Sequence, residues 1–311
     1  MDTLNFFYYL FSISLVYFVI LGFGSLVKNY FYKDFFFKCL VGYFFIGLIS
    51  DINFVSSPKL RFLMQSIILY ALIYFTNLQI STTRVYFLDI FLENIIFSYL
   101  FTTFCLMIVI NGSNFIDGLN GLVLSYYLMI LVIILKFQFF NELNIEEYKI
   151  IFFLYILFIL LIFNIFNQLY MGDNGSYLLG CIFSFILITI YQNNQNISPF
   201  FIVLLLWYPC FENLFSIIRK FSIKKSPGEA DNKHLHQLLF NFVSKKFKLK
   251  NINSNNLSSL IIVIYNLLIF SLASINIYNT KYQILCILFN ISIYIFTYTK
   301  LLNFYFKIKL K

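Results

Sequence analysis

Charge is scarce in this sequence: 11% of its 311 residues are Asp, Glu, Lys or Arg, against about a quarter in an ordinary soluble domain. With 61% hydrophobic residues and a mean hydropathy of +0.84, the composition excludes a soluble globular fold and indicates a chain that lives in lipid. Ten-residue segments of alternating hydrophobicity are also lacking, which excludes an outer-membrane β-barrel. Apolar runs of about 20 residues are present instead, the length at which a helix crosses a ~30 Å hydrocarbon core with its backbone hydrogen bonds satisfied internally. The five cysteines, Cys39, Cys105, Cys181, Cys210 and Cys286, form no C-x-x-C pair and read as small buried hydrophobes, not as a metal or disulfide framework. No internal repeat, no midplane charge and no paired broken helices are visible, which argues against a transporter. The first apolar run has no basic n-region and is long enough to span, so it is expected as a retained anchor and not a cleaved signal.

The pattern predicts an all-α fold, a polytopic bundle in a single domain over 1–311. About ten spans are expected, at 5–27, 34–50, 62–79, 86–110, 119–137, 149–166, 176–191, 199–218, 257–277 and 282–300. Residues 219–256 are expected as a long cytoplasmic loop whose Asn/Ser/Lys-rich end, "KLKNINSNNLSS", is disordered. Alternation puts Lys59 and Arg61, the basic residues between Arg219 and Lys250, and the lysines of the tail on one side of the membrane. The acidic "NELNIEEYK" falls on the other. The positive-inside rule places the first set in the cytoplasm. The net charge of +9 is then explained by topology and contact with anionic membrane lipids, and nucleic acid is not required.

Polar chemistry gathers at four borders on that side: "SDINFVSSPKLR", "NGSNFIDGLNGL", "YMGDNGSYLLG" and "SPGEADNKHLHQLL". In the second, Asn111, Asn114 and Asp117 recur every three residues and share one helical arc, with Gly118 and Gly121 leaving room for close approach. A capped helix start accounts for one or two of these residues; a ligand-facing wall accounts for the spacing. In the third, Asp173 and Ser176 can cap a helix, or Asp173 can bind a divalent cation at a helix N-terminus. His234 and His236, the only histidines, reach one ligand together only from extended or irregular backbone, because a helix sets them about 200° apart. They are otherwise surface residues of a loop.

Taken in order, "GLISDINFVSSPKLRFLMQ", "NFIDGLNGL", "FNIFNQLYMGDNGSYLLG" and "WYPCFENLFSIIRKFSIKKSPGEADNKHLHQLL" resemble the polyprenyl-phosphate N-acetylhexosamine-1-phosphate transferase superfamily, the MraY/WecA-like enzymes, over roughly residues 40 to 240. The resemblance implies transfer of an N-acetylhexosamine 1-phosphate from a UDP-sugar to undecaprenyl phosphate with Mg²⁺ or Mn²⁺, releasing UMP and starting a lipid-linked surface glycan. It implies a bacterial cytoplasmic membrane with the site facing the cytoplasm; a second copy of the chain stays open as a partner. Asp173 would be the metal ligand, Asp117 part of the catalytic cluster, and His234 and His236 the H-x-H segment that meets diphosphate and sugar. Asp51 matches the second of two paired aspartates. Asn111, Asn114, Asn120, Lys59, Arg219 and Lys233 are expected to face the anionic substrates. The short "KHLHQLL" context is closer to the WecA-like branch. The chain departs from the pattern at Ser50, where the family has an aspartate, at Asn120, where many members have another, and at Gln237, where many have a third histidine. It also begins, by this matching, at the family's second span. Ser50 and that missing span motivate the alternative of an impaired member, or a remnant, that binds lipid phosphate or nucleotide without turnover.

Overall fold

The computed structural model describes residues 30–309 apart from 53, 56, 223 and 225–232, with side chains from 36 to 307; the run expected at 5–27 lies outside them. The described residues form helices and no strand: α1 (Tyr30–Asp51), α2 (Pro58–Thr76), α3 (Tyr86–Leu92), α4 (Ile95–Ile116), α5 (Leu122–Lys136), α6 (Glu147–Ile165), α7 (Gly172–Asn193), α8 (Pro199–Leu205), α9 (Trp207–Ser222), α10 (Leu235–Phe247), α11 (Asn251–Ala273) and α12 (Thr280–Lys309). The chain is a multi-pass helical membrane protein. Among the described residues six helices (α2, α4, α6, α7, α11 and α12) are long and apolar enough to cross a membrane, or seven if α8 and α9 form one bent span.

Local chemistry explains where the expected spans differ. The stretch 86–110 divides because the Asn94 side chain accepts from Ile96 N at 3.0 Å and Phe97 N at 3.1 Å, capping a new helix after the short α3. At 199–218 the chain bends by 79° between α8 and α9. Pro209 has no N–H to offer the carbonyl of Leu205, and the hydroxyl of Tyr126 donates to that oxygen instead, at 2.9 Å. The stretch 219–256 is not the open loop expected: it holds α10 and the first turns of α11. "NINSNN" is helical because its polar groups find partners. Asn255 Oδ1 accepts from Asn120 N at 2.7 Å, Asn256 donates to Ile165 O at 3.3 Å, and Ser254 and Ser258 are buried.

The bundle is arranged around α7, whose most apolar stretch is 94% buried, against 17% for α12 at the periphery. Glycines set the closest crossings. A Cβ on Gly47 would lie 2.3 Å from Asn174 Cα, and one on Gly112 2.1 Å from Pro209 O, so α1 meets α7, and α4 meets α9, backbone to backbone. The Gly47 crossing, together with Gly180 on α7, where a Cβ would lie 2.8 Å from Ile110 Cα, draws the C-terminal ends of α1 and α4 to the N-terminal end of α7.

The other end of the bundle is tied by Arg84. Its guanidinium donates to Tyr278 O, Thr280 Oγ1, Gln195 O, Asn196 O and Ile197 O at 2.7–3.2 Å, joining three connections with one side chain. Arg84→Ala is expected to cost about 1–2 kcal/mol and to lower the Tm of the solubilised protein, with the rate per folded molecule unchanged. An unaltered Tm would mean that these bonds are replaced by water at no cost.

Candidate active site

Four helix ends converge on Asp173. Gly172, with φ +62°, turns the chain into α7, and a Cβ there would come within 2.9 Å of Asp51 Oδ2. That close approach lets Asp51, the last residue of α1, accept from Asp173 N at 3.0 Å and Asn174 N at 3.3 Å, capping α7 with a carboxylate where its dipole favours one. Burial, followed by the nearby charge of Asp173, outweighs those amides and Arg61 and pushes the Asp51 carboxyl up to about 6.

The Asp173 carboxylate itself is fully engaged. Oδ1 accepts from Asn114 Nδ2 at 2.6 Å, and Oδ2 accepts from Arg61 Nη1 at 2.8 Å and from the Ser50 hydroxyl. Arg61 Nη1 also donates to Ser50. Ser50, the departure from the family pattern, thus sits between the arginine and the aspartate and bonds to both. Asp117 follows α4 directly, and its carboxylate has no hydrogen-bond or ion-pair partner among the described residues. Burial, then the charges of Asp173 and Asp51, hold it well above the usual carboxylate range. Three carboxylates in mutual range with one arginine between them repel one another when ionised, a repulsion that a hard cation relieves. Among the described residues no three His, Cys, Asp or Glu side chains form a ready-made cage. The donor set therefore suits an ion that takes one or two carboxylates and completes its shell with water or phosphate oxygens, as Mg²⁺ does; Asp117 and Asp173 are the residues able to hold it.

The histidines approach the same end of α4. His234 has extended backbone (φ −69°, ψ 151°) at the start of α10, and His236 lies in its first turn. The irregular geometry brings the rings to 5.6 Å, nearly parallel, where a continuous helix would have separated them. His236 packs onto Gly118: a Cβ at that glycine would lie 2.4 Å from His236 Nε2, so only glycine admits the ring beside Asp117. Burial pushes His236 down to about 4, which makes it a neutral imidazole at pH 7, and its buried Nδ1 has no partner among the described residues. Gln237, in place of a third histidine, accepts from His234 N at 3.1 Å and caps α10.

Glu212, fully buried on α9, was not singled out from the sequence, yet it organises this segment. Oε2 accepts from His234 Nδ1 at 3.0 Å, while Oε1 accepts from Leu235 N at 3.0 Å and Tyr294 Oη at 2.7 Å. The signal available was an acidic residue inside the apolar "WYPCFENLF". Arg61 was counted only toward topology. So was Lys220, which is 4% exposed with its ammonium 5.9 Å from the Phe115 ring, itself 5.4 Å from His234.

Of the side chains expected to face substrate, Asn114 alone bonds to Asp173. Asn111 donates to Gln65 Oε1 and Met107 O. Asn120 donates to Asn167 and Asn255, tying the start of α5 to α6 and α11. Lys59 is exposed, two residues and about 200° from Arg61 on α2. Arg219 donates to Tyr298 Oη at 3.0 Å and lies over the Phe215 and Tyr298 rings, and Lys233 lies over Phe306.

The sequence profile of glycosyl transferase family 4 matches residues 35–191. An undecaprenyl-phosphate alpha-N-acetylglucosaminyl 1-phosphate transferase of Thermotoga maritima is 26% identical over 137 residues, 44% of this chain and 41% of that protein. A probable undecaprenyl-phosphate N-acetylglucosaminyl 1-phosphate transferase of Bacillus subtilis is 26% identical over 199 residues, 63% and 55% of the two chains. An Escherichia coli protein with the Thermotoga protein's description is 27% identical over 201 residues, 63% and 54%. The chain thus spans about half the length of the curated relatives it matches.

Proposed function

Because the chain belongs to glycosyl transferase family 4, we propose that it transfers an N-acetylhexosamine 1-phosphate from a UDP-sugar to undecaprenyl phosphate, releasing UMP and starting a lipid-linked surface glycan. The observation that carries this reading is the convergence of Asp51, Asp117 and Asp173 with Arg61 at helix ends, against which the buried imidazole of His236 is packed. In the reaction an oxygen of the lipid phosphate bonds to the sugar-linked phosphorus of the donor, the bond from that phosphorus to the UMP oxygen breaks, and UMP leaves with the electron pair. Anions must be brought together, so positive groups have to lie where charge moves.

Mg²⁺ or Mn²⁺ bound by Asp117 and Asp173 would supply charge neutralisation. Asp51 fixes the N-terminus of α7, whose position sets that of Asp173. His234, His236 and Lys220 are placed to meet the diphosphate and sugar. The basic bias of the connections on the Asp173 side supports a site at the cytoplasmic face of a bacterial inner membrane. The prenyl tail then stays in lipid while its headgroup enters the cleft.

A membrane assay tests the proposal: UMP release from a UDP-N-acetylhexosamine is expected to need both undecaprenyl phosphate and Mg²⁺. Release without a lipid acceptor would sink it. The impaired-member alternative rests on Ser50. Turnover by the unaltered chain excludes it, whereas a silent chain that gains activity in Ser50→Asp supports it.

A further inference from the structure

Asp173 is the aspartate proposed to hold the metal, yet the arrangement gives it a cation already. Arg61 Nη1 donates to Oδ2 at 2.8 Å and also to Ser50, whose hydroxyl donates to the same oxygen. Arginine, serine and aspartate thus form a closed ring of hydrogen bonds. We propose that Arg61 is a tethered counter-cation for Asp173, locked in place by Ser50, which has to leave before Asp173 can take a divalent cation. The inference rests on the metal assignment of the preceding section and adds a competition that sets the metal affinity.

Three observations support it. First, the arginine is held at one corner only: Nε is buried with no partner, and Nη2 makes no hydrogen bond among the described residues. A guanidinium bound this way keeps unpaired donors on its two-pronged Nε–Nη2 edge, so it gains bonds by swinging from Asp173 to a phosphate, which matches that edge better than a carboxylate already shared with serine. Second, both side chains of the pair are about a quarter exposed, so the contact lies where solvent and ligand reach it and is not a sealed core ion pair. Third, the Asp117 carboxylate has no partner among the described residues, so a divalent cation arriving beside the pair gains a second carboxylate, while Asp173 gains nothing by keeping Arg61 as well. Ser50 is where the chain departs from the paired aspartates of the family pattern. An aspartate at that position would offer Arg61 a carboxylate of its own, leaving Asp173 free; the neutral hydroxyl makes the arginine and the metal ligand share.

Mn²⁺ binding to the purified full chain in lipid nanodiscs, followed by electron paramagnetic resonance, tests this without turnover. Arg61→Gln is expected to bind Mn²⁺ at least about tenfold tighter than the unaltered chain, since a unit charge within 4 Å is removed. Lys59→Gln removes an exposed charge that does not touch Asp173 and is expected to change the affinity by less than about twofold. Asp173→Asn should abolish the site. Ser50→Ala, which unlocks the arginine and keeps its charge, should tighten binding in the same direction by a smaller factor, and serves if Arg61→Gln does not fold. Equal or weaker Mn²⁺ binding in Arg61→Gln, or in Ser50→Ala as its substitute, overturns the counter-cation while leaving the metal assignment in place. Loss of an Asp173-dependent signal from every protein overturns both, and UMP release then decides separately whether the transfer reading survives.

Discussion

Asp173→Asn is expected to cut UMP release by about 10²–10³-fold or more, the loss that follows removal of one group stabilising charge as it moves. An asparagine occupies the same volume but presents one oxygen and two N–H donors where the carboxylate accepts from Asn114, Arg61 and Ser50. Whichever way the amide turns, its NH₂ faces a donor, and the charge that would hold a divalent cation is gone. Stability should change little by comparison. The Arg61 pair is partly exposed, at 24% and 27% for the two side chains, and such pairs contribute up to about 1 kcal/mol. The cap of α7 is untouched, because it is the backbone N–H of residue 173 that donates to Asp51. The measurement is therefore paired: UMP release per mole of folded protein, and Tm by light scattering. A variant that unfolds would put Asp173 in the scaffold; one that folds and retains full turnover would remove it from the reaction.

Glu212 should give the second large effect, and two substitutions divide its roles. Glu212→Ala leaves the Tyr294 hydroxyl, the Leu235 amide and His234 Nδ1 without their acceptor in a fully buried position, and a loss of about 3–5 kcal/mol is expected from breaking such a buried network. Glu212→Gln keeps the shape. Its Oε1 can still accept from Leu235 and Tyr294, so the fold should survive, but its Nε2 now donates toward His234. In the native protein the acceptor-only carboxylate holds a proton on His234 Nδ1; in the variant Nδ1 must accept and Nε2 carries the proton. The ring then no longer carries the proton that faces Glu212, and UMP release is expected to fall by about 10²-fold or more with Tm close to native. Nitrogen chemical shifts of labelled histidine would show the tautomer exchange directly. An unchanged tautomer with lost activity would mean that Glu212 acts through the position of α10 alone.

Much of this was legible in the sequence. Period and hydropathy specified an all-helical membrane protein, because in hydrocarbon the helix is what satisfies an unpaired segment's backbone. The four polar borders could be found because aspartates, asparagines and glycines at the ends of apolar runs need an explanation that lipid does not provide. Spacing alone marked Asn114 and Asp117, which do lie at the Asp173 end of α4. What spacing could not tell is which polar group meets which. Asn111, Asn114 and Asn120 belong to one short motif, yet they bond to α2, α7 and the turn after α6 respectively, since each faces a different neighbour once α4 ends and the chain turns at Gly121. The position of α10 likewise comes from Glu212, 22 residues upstream of His234, and from Tyr294, more than fifty downstream.

By itself, then, the sequence determined the class of molecule, its helical character and the residues able to carry charge at helix ends, because these follow from local hydrophobicity and from the cost of a polar group in lipid. Only the tertiary structure decided that Ser50 lies between Arg61 and Asp173, that Asp51 is spent on a helix N-terminus, and that Glu212 governs the histidines. Hydrogen bonds between helices depend on crossings such as Gly47 on α7 and Gly112 on Pro209, where the missing side chains bring backbones together and fix which polar ends can touch.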